Sequence, residues 1–106
     1  MTELTFNFLA DELTVKAKSL KNLGASMKFV FKGEGVVHID AHGEEPIITR
    51  DDTLPADFTI SAPIEVWIAL RSKKLAPHVA AMTRKLTITG NMGLGMKLAP
   101  QIMSVL

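Results

Sequence analysis

The stretch MKFVFKGEGVVHIDAH, residues 27–42, decides the fold class, because its apolar side chains recur at every second position on both sides of a glycine-containing turn. A period of two is typical of β-strands with one apolar and one polar face. Shorter runs with strand character follow at residues 47–50, 58–61 and 85–89. Strands of this kind belong to a sheet that is covered on one face only, and such sheets are mostly antiparallel.

The cover for the apolar face must come from helices, which the sequence places before and between the strands. The first helix has apolar residues at spacings of three and four: Phe6, Leu9, Leu13, Ala17 and Leu20. A second helix begins at Pro63 and is apolar almost all round, so we expect it to be buried on more than one side. A shorter helix begins at Pro77. The sequence therefore predicts a two-layer α+β domain whose mostly antiparallel sheet is covered by helices on one face.

Composition sets the limits of this domain. A chain of 106 residues with 47% hydrophobic residues is long enough for one packed core, so we expect a single domain over residues 1–106. It contains no cysteine, which excludes disulfides, thiolate metal sites and a cysteine nucleophile. The longest uncharged stretch, residues 86–96, is too short to span a membrane. The first residues carry no basic leader, so we expect a cytoplasmic protein.

Charge is distributed unevenly along the chain, although the net charge is only +1, which is too small for a nucleic-acid-binding domain. All 11 acidic residues lie before residue 66, and the segment 66–106 carries only basic charges. A cationic end of this kind attracts lipid head groups or an anionic membrane, unless its basic side chains are merely solvated. The candidates for such contacts are Arg71, Lys73, Lys74, Arg84 and Lys85.

Methionine is concentrated toward the C-terminus, where residues 92–106 contain three of the six methionines and a single charge, Lys97. Flexible thioether side chains adapt to irregular apolar shapes, which suits either gap-filling in a small core or a wall around a ligand. Together with the apolar helix after Pro63, they supply more apolar surface than a two-layer core of this length needs, which favours an elongated apolar cavity. Its predicted lining consists of Trp67, Leu70, Val79, Met82, Met92, Leu94, Met96, Ile102 and Met103.

Catalytic and metal-binding patterns are weak. His38, Asp40 and His42 share one face of a strand, but residues at alternate positions lie ~6.6 Å apart, so three of them do not easily meet one ion. We interpret them as polar residues of the solvent face. There is no Gly-x-Ser-x-Gly elbow, and the acidic pairs at 44–45 and 51–52 lie in polar turns, where carboxyls stay solvated. We therefore predict neither an enzyme nor a metal site.

The sequence LAPHVAAMTRKLTITGNMGLGMKL, residues 75–98, resembles the sterol carrier protein 2 family. One position departs from the family pattern, because Arg84 stands where a glycine usually precedes the lysine, so we expect the turn there to be built differently. The resemblance extends over most of residues 20–106. It rests on a proline turn, a short helix and a motif that matches in register at Lys85-Leu86, Ile88, Gly90-Asn91-Met92 and Met96-Lys97-Leu98.

This resemblance implies a five-stranded sheet covered by helices around an apolar tunnel. It also implies a non-catalytic carrier, without a cofactor, that binds a sterol, a fatty acid, acyl-CoA or a similar lipid. Some bacterial relatives handle isoprenoid quinone precursors instead. The alternative is an accessory interaction module, in which the same surface docks a second copy of the chain or a partner protein. A monomer that releases lipid on extraction would favour the carrier, and a dimer without lipid would favour the module.

Overall fold

The computed structural model describes residues 5–103, and their helices and strands follow the predicted order. The helices are α1 (Phe6–Lys16), α2 (Ile64–Arg71), α3 (Pro77–Met82), α4 (Met92–Lys97) and α5 (Ala99–Met103), with a 3-10 turn at Ala17–Ser19. The strands are β1 (Ser26–Lys32), β2 (Gly35–Asp40), β3 (Ile47–Thr49), β4 (Phe58–Pro63) and β5 (Thr87–Gly90). No described helix is long and apolar enough to cross a bilayer.

The strands form one five-stranded sheet in the order β3-β2-β1-β4-β5. Neighbouring strands run antiparallel except β1 and β4, which are parallel. The parallel pair arises because the chain leaves the edge strand β3, crosses the sheet and re-enters it beside β1. The predicted α+β fold with a mostly antiparallel sheet is therefore confirmed.

The buried face of the sheet is the one that the alternation predicts. Phe29 of β1 lies opposite Val37 of β2 and Ile60 of β4, and all three are buried. Leu9 and Leu13 of α1 belong to the same hydrophobic cluster. Complete burial of such a side chain contributes about 1.5–3 kcal/mol, so this cluster holds α1 against the sheet.

The opposite face of the sheet is less open to solvent than the sequence suggests. His38 is buried, because the loop from β3 to β4 crosses this face and brings the Pro55 carbonyl oxygen 2.9 Å from His38 Nε2. Lys28 lies opposite His38 and donates to the Asp52 carbonyl oxygen of the same loop at 2.9 Å. The interpretation of His38 as a solvent-face residue is therefore wrong, whereas His42 is exposed. Alternation shows which residues share a face, but it does not show which loop covers them.

The first helix ends earlier than its periodicity predicts. The α-helix stops at Lys16, although Leu20 beyond the 3-10 turn is still buried. The chain then reverses through two residues with positive φ, Asn22 at 56° and Gly24 at 66°. Glycine, and to a lesser degree asparagine, tolerates this left-handed conformation, so the two residues lead the chain into β1.

Candidate functional site

An apolar cavity of about 260 Å³ lies between the buried face of β4 and β5 and the three short helices α3, α4 and α5. Its volume is close to the lower end of the range for small-molecule sites, about 300–1,000 Å³. The described residues that line it are Phe58, Ile60, Pro77, His78, Ala81, Leu86, Ile88, Gly95, Met96, Ala99 and Ile102.

The floor of this cavity is set by strand register. Ile60 of β4 lies directly opposite Ile88 of β5, and Phe58 lies two residues earlier on the same face as Ile60. These positions lie on the buried side of the sheet, as Phe58 and Ile60 of β4 are less than 5% exposed. β5 is an edge strand of the sheet, so no further described strand lies beyond Ile88 on that side.

Of the three helices above the floor, α3 begins at Pro77 as predicted, whereas the sequence did not predict α4 and α5 as helices. Pro77 occupies the first turn of α3, where its missing N–H costs no hydrogen bond. Ala80 of α3 is fully buried against the core, whereas His78 and Ala81 line the cavity. At the start of α4, the Asn91 side chain accepts a hydrogen bond from the Leu94 backbone N–H at 3.0 Å. This N-cap fixes the point at which the chain turns over the cavity.

The chemistry of this cavity is almost entirely apolar. Among its described lining residues, only His78 has a polar side chain, and it is exposed. A cavity of this kind has no buried charge or hydrogen-bonding group to hold a polar ligand. It can remove apolar groups from water, which is worth about 0.8 kcal/mol for each methylene.

An open groove adjoins the cavity and adds a cationic group. The two share Ala81, Leu86 and Ile88, and the groove is lined further by Arg84, Thr87 and Met92. Arg84 is the only charged residue among the described residues that line the groove.

Arg84 forms the turn between α3 and β5 in a left-handed conformation, with φ at 61°. Its backbone N–H donates to the Ala81 carbonyl oxygen at 3.2 Å, and those of Lys85 and Leu86 both donate to the carbonyl oxygen of Ala80. Arg84 therefore adopts the left-handed conformation that glycine favours, at the position where the motif has a glycine. An L-residue adopts this conformation only at an energetic cost of about 1–2 kcal/mol.

The structure brings only part of the predicted lining to this cavity. Met96 and Ile102 line it, and Met92 lines the adjoining groove. Leu94 is half-buried against the core. Val79 and Met82 of α3 are exposed at the surface. The side chain of Met103 lies outside the described part of the structure.

Trp67 and Leu70 lie elsewhere, under a cleft of about 30 Å³ between α1 and α2. The Trp67 indole N–H donates to the carbonyl oxygens of Ala62 and Val30, at 2.9 and 3.1 Å. Its ring stacks on Phe31 with the ring centroids 4.7 Å apart. Trp67 is therefore a hydrogen-bonded core residue, and the cleft above it is too small for a lipid chain.

The predicted cationic residues fall into two groups. Arg71 forms a bidentate ion pair with Glu12 of α1, and this hydrogen bonding lowers the pKa of the Glu12 carboxyl and raises that of the guanidinium. Lys73 and Lys74, which follow α2, are exposed, as are Arg84 and Lys85. Among the described residues that line the groove beside the cavity, Arg84 is the only one of the five candidates.

The polar residues near the end of β2 do not converge on one point. His42 Nδ1 is hydrogen-bonded to Asp40 Oδ1, which lowers the pKa of the Asp40 carboxyl. Asp57 accepts hydrogen bonds from the backbone N–H and the hydroxyl of Ser26, at 2.8 and 3.4 Å, and its Oδ2 lies 4.0 Å from His42 Nε2. Within residues 5–103, no three His, Asp or Glu side chains are arranged so that they could hold a metal ion.

The residues that form the cavity floor lie outside the lining that the sequence predicts. Phe58, Ile60 and Ile88 were recognised as the apolar face of strands but not as a binding surface. The sequence feature that marks these residues is their position in the last two strands. These strands adjoin the helices that begin at proline and the methionine-rich segment. Strand order would have been needed to see that β4 and β5 are neighbours.

Comparisons with known proteins agree with this architecture. The non-specific lipid-transfer protein-like 1 of Caenorhabditis elegans is 25% identical over 101 residues, which are 92% of this chain and 86% of the relative. The solution structure of the sterol carrier protein domain 2 of Helicoverpa armigera is 28% identical, with a TM-score of 0.69 and coverage of 94% of this chain and 86% of that one.

The fold also resembles that of a protein with a lower sequence identity. The crystal structure of sterol carrier protein 2 like 2 from Aedes aegypti is 17% identical, with a TM-score of 0.69 and coverage of 89% of this chain and 96% of that one. The sequence model of the SCP-2 sterol transfer family matches residues 6–102, which is most of the sequence. The chain therefore belongs to the SCP-2 sterol transfer family.

Proposed function

We propose that this protein is a non-catalytic lipid carrier that holds an elongated apolar ligand in the cavity between β4, β5 and the helices α3 to α5. The observation that carries the proposal is the lining of that cavity, in which His78 is the only polar side chain among the described residues. Membership of a sterol transfer family supports binding and release rather than a covalent step.

The ligand class follows from how affinity would arise. Each methylene removed from water contributes about 0.8 kcal/mol, so a long chain needs few directed contacts. Sterols, fatty acids, acyl-CoA and isoprenoids all meet this requirement. Met96 at the cavity and Met92 at the groove have flexible side chains that adapt to ligands of different shape.

The polar end of such a ligand would lie in the groove beside Arg84. This placement follows from Ala81, Leu86 and Ile88, which line both the cavity and the groove. Lys85 is the next residue and is exposed. These two cations form the head-group contact of the proposal.

The direct test is to identify what the purified chain carries. Native mass spectrometry followed by organic extraction should find a lipid in a stoichiometric complex, and its identity would distinguish a sterol from an acyl chain or an isoprenoid. A protein that contains no extractable lipid and binds neither a fluorescent fatty acid nor a fluorescent sterol would contradict the proposal.

A cavity-filling variant tests the location. Ala81→Phe places a ring in the space that Ala81 lines, so we expect it to weaken binding of a fluorescent fatty acid by at least about tenfold, equivalent to two lost methylene contacts. Val15→Phe is the matched control, since Val15 is exposed on α1 and does not line the cavity. Equal affinities for the two variants would place the ligand elsewhere.

A further inference from the structure

Three exposed methionines lie on the helices beside the cavity, Met82 on α3 and Met92 and Met96 on α4, and they are called the methionine ridge below. Met82 at the end of α3 is 80% exposed and Met96 on α4 is 72% exposed. Met92 and Met96 are four residues apart on α4, so they share one side of the helix. Met82 follows Ala81, which lines both the cavity and the groove. Met92 and Met96 therefore lie at the rim of the site described above, and Met82 is the next residue after Ala81 of that rim.

The cations around this ridge have no internal counter-charge. Arg84, Lys85 and Lys97 are exposed, and none of them forms an ion pair within residues 5–103. By contrast, Arg50 and Arg71 pair with carboxylates of α1 at 2.7 and 2.8 Å. No acidic residue occurs after residue 65. Arg84, Lys85 and Lys97 therefore bring positive charge to the part of the chain that carries the ridge, and residues 66–103 add no acidic side chain to it.

We propose that the methionine ridge, flanked by Arg84, Lys85 and Lys97, is a docking surface for an anionic lipid bilayer. Exposed apolar side chains that form a patch mark an interaction surface in a soluble domain. Unbranched thioether side chains can insert among disordered acyl chains, while basic side chains beside them contact anionic head groups. This arrangement would place the rim of the cavity against the membrane.

Charge complementarity distinguishes this occupant from a second copy of the chain. In a symmetric dimer each ridge would face its own copy, and the cations Arg84, Lys85 and Lys97 would be brought together without an acidic partner from residues 66–103. An anionic bilayer supplies the missing negative charge. The inference goes beyond the proposed function, because docking does not require that the cavity hold a lipid.

The test is co-sedimentation of the full chain with vesicles of phosphatidylcholine, with and without phosphatidylglycerol, at low and high salt. We expect binding to the anionic vesicles that salt weakens. Lys85→Gln and Lys97→Gln should each weaken it about fivefold, and Met82→Ser about tenfold. The matched controls are Val15→Ser, which alters a side chain 65% exposed on α1, and Lys18→Gln, which removes an exposed cation from the 3-10 turn. Neither control should change the affinity.

Besides a failure to bind anionic vesicles, three results would overturn the docking surface. The first is equal binding to neutral and anionic vesicles, and the second is a loss in the two controls as large as that in the ridge variants. The third is a dimer in sedimentation velocity that Met82→Ser dissociates. A chain that binds anionic vesicles but contains no lipid would contradict the carrier and leave docking intact. Extractable lipid in a chain that does not bind vesicles would contradict docking and leave the carrier intact.

Discussion

Arg71 and Glu12 join α2 to α1 through two parallel hydrogen bonds, with Nε to Oε1 at 2.8 Å and Nη2 to Oε2 at 2.9 Å. The guanidinium also lies 5.5 Å from the ring centroid of Phe8, and Glu12 accepts a further hydrogen bond from Lys16 at 3.3 Å. Since α1 and α2 flank the small cleft above Phe31, this pair closes one side of the core. The charge of Arg71 is thus balanced inside the chain, unlike that of Arg84.

Replacing the arginine by lysine should weaken this connection. We expect Arg71→Lys to lower the urea midpoint of unfolding, because an ammonium group cannot make the two parallel hydrogen bonds of a guanidinium. Urea unfolding measures the loss, with Lys18→Gln as a control at an exposed cation that forms no ion pair within residues 5–103. An unchanged stability would show that solvent already screens the pair.

The same pair predicts a pH dependence with a definite sign. Hydrogen bonding to Arg71 holds the pKa of the Glu12 carboxyl below its ordinary value. A carboxyl with a lower pKa in the folded state stabilises that state above its unfolded-state pKa, and the contribution is lost as the pH falls through the folded-state pKa. The stability difference between the wild type and Glu12→Gln should therefore be full at neutral pH and shrink below about pH 4. Urea unfolding at neutral pH and below about pH 4 measures this difference. A difference that does not change with pH would contradict the lowered pKa of Glu12.

Gly90 ends β5 at a place where only glycine fits. Its φ is 93°, and a Cβ there would lie 2.7 Å from the Asp57 carbonyl oxygen and 3.0 Å from the Phe58 Cα. We expect Gly90→Ala to lower the unfolding free energy by at least about 2 kcal/mol. The matched control is Gly93→Ala in α4, where only Asn91 Oδ1 lies nearby, at 3.6 Å, and which should be neutral or stabilising. Equal losses in thermal unfolding would contradict this account.

Arg84 offers the complementary case, an arginine in a position suited to glycine. Because the left-handed conformation costs an L-residue about 1 kcal/mol, Arg84→Gly should raise the unfolding free energy by about 0.5 kcal/mol after the greater chain entropy of glycine is subtracted. Arg84→Val should lower it by about 1 kcal/mol, since a branched Cβ fits this conformation poorly. We therefore expect the urea midpoint to be highest for Arg84→Gly, lower for the wild type and lowest for Arg84→Val. A different order would show that the arginine side chain itself stabilises the turn.

The sequence predicts the sheet and its buried face well, because strand alternation is a local property of the chain. Phe29 and Val37 lie on the face that their spacing indicates, and both are buried. The burial of His38 could not be seen in this way, since it depends on a loop that returns across the sheet.

The position of the cavity was predictable only in part. An apolar space between helices and sheet was expected, and Met96 and Ile102 do line it. Trp67 and Leu70 were assigned to the same space because they are apolar and lie on a neighbouring helix. Which strands a helix covers depends on strand order, and Trp67 of α2 stacks on Phe29 and Phe31 of β1, outside the lining of the cavity at β4 and β5. That order is a long-range property, which periodicity does not contain.

Trp67 is the single tryptophan of the chain, and its location gives a spectroscopic test. Its indole is held by two carbonyl oxygens and stacks on Phe31, outside the cavity lining. We therefore expect a fatty acid to bind without shifting the Trp67 emission maximum. Trp67→Phe should lower the unfolding free energy by about 2 kcal/mol, from the lost hydrogen bonds and ring contacts, and leave fatty-acid affinity unchanged. A ligand-dependent emission shift together with weaker binding in Trp67→Phe would instead place the lipid under α2, and the cavity at β4 and β5 would have to be abandoned as the site.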